Sequence, residues 1–257
     1  MEHYSKDKVI LRILNLISFL LLAAGSAGTA LRAFGGRIYD VFYKAEFIMS
    51  PVKYFHFIYF ASLAYMAAFI FVQMDSREHG TCKRVIENYG VLSPLAFIFV
   101  VFWGLSLEFL NSKMLTAVII LAALLFSAVL YIKSQQLKKY LYSDEEAIFV
   151  SPFSMFTALL FILFLMNFSN LFSKTQGSID LIVISVIIIV LSVAAGALAM
   201  IFLKDKIFAV VQIIYLVCAL VQRRFDGEFM PVGYTCFLGI IIIMFVWYRV
   251  FAKKKKN

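Results

Sequence analysis

The residues best suited to chemistry in this chain are few, and all sit in or beside long apolar stretches: His56 and Tyr59, Trp103 and Glu108, Asn167 and Asn170. An ionisable group near the centre of a membrane helix costs about 2.5–3.5 kcal/mol on insertion scales, so the places where such groups are kept point to function. His56 and Tyr59 are three residues apart and share a helix face, as do Asn167 and Asn170. Trp103, five residues before Glu108, offers an aromatic wall, with Phe97, Phe99 and Phe102 as apolar lining. His56 and Glu108 have the chemistry of an acid and a base. Yet no His-x-x-x-His, Asp-rich metal motif or Gly-x-Ser-x-Gly is present. The six residues therefore read as hydrogen-bonding and stacking groups of a ligand pocket; the protein is not read as an enzyme, no metal ligand is assigned, and the sequence specifies no cofactor.

The elements that must position them are membrane helices. With 63% hydrophobic and only 15% charged residues, the composition is far from that of soluble domains, where about a quarter of residues are charged. A helix needs about 20 mostly apolar residues to cross a hydrocarbon layer about 30 Å thick. Eight stretches approach that length: 13–31, 54–73, 91–110, 114–132, 147–172, 181–203, 207–221 and 230–251. The fold class is thus an all-α polytopic bundle of eight transmembrane helices. The seventh stretch is the shortest; were it re-entrant, the count would fall to seven and the C-terminus would change sides.

Positive charge orients the chain, because Lys and Arg are retained on the cytoplasmic side. Eight spans with the N-terminus inside leave sixteen of the 24 Lys and Arg residues on the cytosolic side, which favours both termini in the cytosol. The net charge of +9 lies between spans and in one terminal run, a topology signal rather than a nucleic-acid footprint. The end Lys253-Lys254-Lys255-Lys256-Asn257 places Lys254 and Lys255 where a dilysine retrieval signal of the endoplasmic reticulum would stand; a stop-transfer cluster on anionic lipid explains the same run. A basic start before Ala23-Ala24-Gly25-Ser26-Ala27-Gly28 raises cleavage as a signal peptide, but the apolar run is longer than a signal core. Close helix packing is a better use for those small residues and for Ala194-Ala195-Gly196-Ala197. Cys82, Cys218 and Cys236 lack metal-ligand spacing and read as small hydrophobes. Asp144, Glu145 and Glu146 precede the fifth span, where acidic groups suit the helix dipole.

With this threading Lys53, His56, Tyr59, Glu108, Asn167 and Asn170 all fall at similar depth near the outer leaflet, although they come from three distant helices. A shared polar pocket is one reading; snorkelling to the nearby interface is the other. The loop 32–50 lies on the same side. Its Gly35-Gly36, Tyr39, Phe42, Tyr43 and Phe47 suit a lid over the bundle mouth, or an interfacial anchor.

At these residues the chain resembles the tryptophan-rich sensory protein, or translocator protein, family, in its longer branch with extra C-terminal spans. Ser50-Pro51-Val52-Lys53-Tyr54 followed by Ile58-Tyr59 is similar to that family's opening of the second helix. Phe102-Trp103 resembles its third-helix Asn-x-x-Trp region, and Ser151-Pro152-Phe153-Ser154 with Met166-Asn167 its fifth helix. Gly25 and Gly28 fit as well. The family's usual Gly and Trp are replaced by Lys53 and Tyr59, and only Trp103 and Trp247 occur in the whole chain. The resemblance implies a five-helix bundle over 1–172 with the 32–50 lid, three additional helices over 173–252, and a basic tail at 253–257. It also implies a cavity for a tetrapyrrole, sterol or similar flat apolar ligand. The expected partners are membrane lipid and such a small molecule, with no nucleic acid and a homo-oligomer permitted. A secondary transporter of a small solute or lipid is the alternative, although no inverted repeat or pair of broken helices is evident. A membrane-embedded lipid enzyme is the second alternative.

Overall fold

The computed structural model of the protein describes residues 3–31, 56–74, 80–110, 112–172, 178–223 and 227–252. Every regular element among them is helical. The α-helices are α1 (His3–Ala30), α2 (His56–Met74), α3 (Gly80–Tyr89), α4 (Leu92–Phe109) and α5 (Lys113–Leu137). They are followed by α6 (Ser143–Phe149), α7 (Ser151–Leu171), α8 (Ser178–Leu203), α9 (Lys206–Arg223) and α10 (Met230–Trp247). The loop 32–50, Lys53, and the tail with Lys254 and Lys255 lie outside the described residues, as does the side chain of His56, whose backbone opens α2.

Among the described residues seven stretches are long and apolar enough to cross a bilayer: α1, α2, α4, α5, α6 with α7, α8 and α10. The eighth expected crossing is the shorter apolar helix α9, Lys206–Gln222. At 18 residues α9 is about 27 Å long, just under the hydrocarbon thickness. Charge and amide groups at both its ends, and Gln212 within it, keep its apolar run short.

Local chemistry sets the boundaries. The fifth expected span starts earlier than 147 and is broken at Val150: Pro152 has no N–H to give, and the two following amides, of Phe153 and Ser154, both reach the Val150 carbonyl at 3.1 Å. Upstream, the Tyr142 amide donates to the Glu145 carboxylate at 3.0 Å, and Asp144, Glu145 and Glu146 occupy the first turn of α6. Ser112 caps α5 by accepting from the Leu115 amide. Gly90, at φ +51°, turns the chain from α3 into α4, a left-handed position that glycine adopts without strain.

The chain forms two compact units, 1–38 with 59–160, and 39–58 with 161–257, so that α2 and α7 each contribute to both. In the first unit the core is aromatic. Phe97 packs edge-on against Phe19 and Phe156, and Phe69 packs edge-on against Phe149 and Phe153. Tyr89 closes this layer from α3, a short amphipathic helix that sequence reading leaves as a loop; its Val85, Ile86 and Tyr89 are buried. Polar seams join α5 to α7: Ser127 Oγ and Thr157 Oγ1 are 2.6 Å apart, and Gln135 Nε2 donates to Ser154 Oγ at 2.8 Å. Such bonds suit a medium in which polar groups cannot turn to water.

In the second unit α8, α9 and α10 pack on one another. Gly239 of α10 lies so close to α8 that a Cβ there would stand 2.6 Å from Val193 Cγ2. Gly196 is packed against the Gln212 side chain, which also accepts a hydrogen bond from Ser192 Oγ. Cys218 and Cys236 are buried free thiols. Asp205 caps α9, accepting from the amides of Ile207 at 2.9 Å and Phe208 at 3.3 Å.

Candidate functional site

The first unit holds three of the singled-out residues near one end. Tyr59, in the first turn of α2, is half-buried, and its hydroxyl is 2.8 Å from Ser26 Oγ, near the end of α1. Ser26 in turn donates to the Leu22 carbonyl at 2.7 Å. The bond ties the outgoing α1 to the incoming α2. Sequence reading passed over Ser26 because it lies in a run of small residues, where its hydroxyl is the only polar group between Ala23 and Gly28.

Trp103 and Glu108 both belong to α4 but face different ways. Five residues turn a helix through about 140°, so the two cannot share a face. Trp103 is 5% exposed and points into the core, whereas Glu108 is half-exposed near the helix end. Ser106 Oγ donates to the Trp103 carbonyl at 2.8 Å.

Beside them a groove of about 360 Å³ runs between α4 and α5, lined by Phe99, Phe102, Leu105, Ser106, Phe109 and Ile119 with Leu110 at its end. Phe102 and Phe109 are exposed, so the groove opens on the outer surface of the unit. Phe99, which lines it, also packs against Phe126, ring centroids 5.2 Å apart. Of the three phenylalanines expected as lining, Phe99 and Phe102 line this groove and Phe97 lies in the core. Glu108, three residues after Leu105 and next to Phe109 in the chain, is not among the residues that line the groove.

Asn167 and Asn170 belong to the second unit, with the backbone of His56. Asn167 is buried, and its amide donates to the Leu163 carbonyl at 2.9 Å, one turn back along α7. Asn170, on the same face, is half-buried. The six residues thus divide between the two units: Tyr59, Trp103 and Glu108 in one, His56, Asn167 and Asn170 in the other. Among the described residues no three His, Cys, Asp or Glu side chains gather as a metal site would need.

Apolar helices of spanning length, a core of aromatic rings and interhelical polar bonds define a polytopic helical membrane protein. The family model for TSPO-like protein matches residues 12–249, and the chain belongs to that family. The match runs through α8, α9 and the whole of α10. No curated protein and no solved structure matches the chain.

Proposed function

We propose that the protein binds a hydrophobic small molecule, a tetrapyrrole, sterol or lipid, against its helical bundle, and that the α4–α5 groove is where it binds. The observation that carries this reading is the groove's lining. Its one polar residue, Ser106, gives its hydroxyl to the Trp103 carbonyl, so the surface offered to a ligand is almost wholly phenylalanine, leucine and isoleucine. Such a surface suits a flat apolar body and gives a polar solute nothing to hold. The volume of about 360 Å³ lies at the lower end of the roughly 300–1,000 Å³ of small-molecule sites. Glu108, next to Phe109 in the last turn of α4, supplies a polar limit to how the ligand is oriented. Membership of the TSPO-like family supports the same class of ligand.

The test is titration of the full chain in phosphatidylcholine nanodiscs with protoporphyrin, a fluorescent sterol and a fluorescent fatty acid. Trp103 emission is followed in a Trp247→Phe background. One ligand class should quench Trp103 saturably, and Phe102→Ala should weaken it by about tenfold, equivalent to about 1.4 kcal/mol. Quenching that never saturates, or that Phe99→Ala and Phe102→Ala both leave unchanged, removes the groove as the site.

We also propose that α9 crosses the membrane and that both termini face the cytosol, in the endoplasmic reticulum. The charge bias, the packing of α9 beside α8 and α10, and the four terminal lysines support this reading. Epitope tags at the two ends should be accessible together when only the plasma membrane is permeabilised, and accessibility of one tag alone overturns it.

A further inference from the structure

The opposite end of the first unit carries a second set of polar groups, none of which belongs to the groove. Ser26 and Tyr59 fix the register of α1 against α2. Arg12 precedes Ser26 by as many residues as Gln73 follows Tyr59, about 21 Å and nearly four full turns along each helix. Counted back along antiparallel helices from that bond, Arg12 and Gln73 fall at about one level, within about 40° of the faces that Ser26 and Tyr59 occupy. Asn15 precedes Phe19 by one turn, and Ser93 precedes Phe97 by one turn; the two rings touch, 6.1 Å apart. Asn15 and Ser93 thus each stand one turn before that contact on their own helices. Gln73 follows Phe69 by one turn, beneath the layer that Phe69 makes with Tyr89 and Phe153.

Each of these four side chains has a buried polar atom without a hydrogen-bond partner among the described residues: Arg12 Nε, Asn15 Oδ1, Ser93 Oγ, and both amide atoms of Gln73. Asn15 and Gln73 are 1% exposed and Ser93 is fully buried, so bulk water does not serve them. Burial in a membrane unit without partners is costly, and polar groups so placed are ordinarily satisfied. Their chemistry defines what would satisfy them. Arg12 Nε, the Gln73 amide nitrogen and Ser93 Oγ donate; Asn15 Oδ1 and the Gln73 oxygen accept. Arg12 as a whole is only half-buried, and its guanidinium has the fork geometry that fits a phosphate. Charges on the adjoining elements are Arg84 and Glu87 of α3 and Lys133 of α5, whose ammonium donates to the Asn88 carbonyl.

We propose that Arg12, Asn15, Gln73 and Ser93 form a second site, for a phosphorylated polyol. The phosphate oxygens accept from Arg12, Gln73 and Ser93, and the polyol hydroxyls donate to Asn15 and Gln73. The group reaches the site either as the head of an anionic lipid in the leaflet around the N-terminal end of α1, or as a free phosphate ester.

The experiment purifies the full chain from nanodiscs of phosphatidylcholine containing a minor fraction of phosphatidylglycerol or phosphatidylinositol, and measures retained lipid by native mass spectrometry. A parallel arm adds glycerol 3-phosphate or inorganic phosphate to phosphatidylcholine-only nanodiscs and follows Tm. Wild type should retain the anionic lipid above its membrane fraction, and Arg12→Gln and Gln73→Leu should each cut that enrichment about tenfold, as loss of a charge-assisted pair does. If only the soluble phosphates act, raising the Tm of wild type but not of Arg12→Gln, the site holds and its ligand comes from solution. Should Arg12→Gln fail to fold, Arg12→Lys, which keeps the charge and loses the fork, and Ser93→Ala give the same readings. Lipid retention at membrane composition, with no response to soluble phosphate, overturns the proposal, as does enrichment that none of these variants changes; the four groups then hold water alone.

Discussion

The hydroxyl of Tyr89 donates to the backbone carbonyl of Phe149 at 2.6 Å, joining α3, which crosses nothing, to the short helix that leads into α7. The Tyr89 ring meanwhile lies against Phe69 and Phe153, with centroids 6.0 and 4.8 Å away. One side chain thus fastens a surface helix to the membrane helices. Tyr89→Phe keeps the rings in place and leaves the Phe149 carbonyl without its donor, which should lower stability by about 1–3 kcal/mol. Thermal unfolding in a mild detergent measures it.

The same residue gives the protein a pH dependence. Burial raises the Tyr89 pKa above its ordinary 10.0, and the Ser134 hydroxyl offsets that only in part. Because the folded state holds this proton more tightly than the unfolded state, the stabilisation is complete below about pH 10 and is lost as pH rises beyond it. Wild type should therefore lose Tm more steeply than Tyr89→Phe between about pH 10 and pH 11. Parallel Tm curves for the two proteins would show that this proton is not linked to folding.

Hydropathy makes the membrane helices legible, because a bilayer imposes the same length and apolarity on each. It hides α3 for the converse reason. With Lys83, Arg84 and Glu87 among its ten residues the segment has the composition of a loop, and only the close spacing of Val85, Ile86 and Tyr89 betrays a buried face. Which way a side chain faces depends on neighbours: Trp103 turns into the core and Glu108 does not, although both sit in the upper turns of α4. Family membership was legible in scattered residues of the first five spans, while its extension through the last three helices left no motif that a single sequence displays.

Close packing was expected of the glycines in the first span, yet a Cβ at Gly25 would meet no described atom within 4 Å. The tight contact is at Gly239, which no small-residue run announces. Gly239→Ala drives a methyl group against Val193, and the β-branched side chain can yield little, so a loss of about 1–3 kcal/mol is expected. Val193→Ala should restore most of it in the double variant, whereas Gly25→Ala should be nearly silent. Resistance to denaturation in mixed micelles distinguishes these cases. A Gly239→Ala protein as stable as wild type would mean that α8 and α10 separate freely.

Ser127 and Thr157 test how much a polar seam contributes inside the first unit. Their hydroxyls are 2.6 Å apart, and Thr157 Oγ1 also lies 3.1 Å from the Ser127 carbonyl, so Ser127→Ala leaves Thr157 a backbone acceptor. Thr157→Val removes both contacts and should cost more. In a double-mutant cycle the side-chain coupling should be about 0.6 kcal/mol, the average for hydrogen bonds between membrane helices, rather than the several kcal/mol that an apolar medium suggests. The reason is that the unfolded helices, still in lipid, find other partners for the same hydroxyls. A coupling above about 2 kcal/mol would instead mean that α5 and α7 hold these groups away from every alternative acceptor, making the pair a principal lock of the bundle.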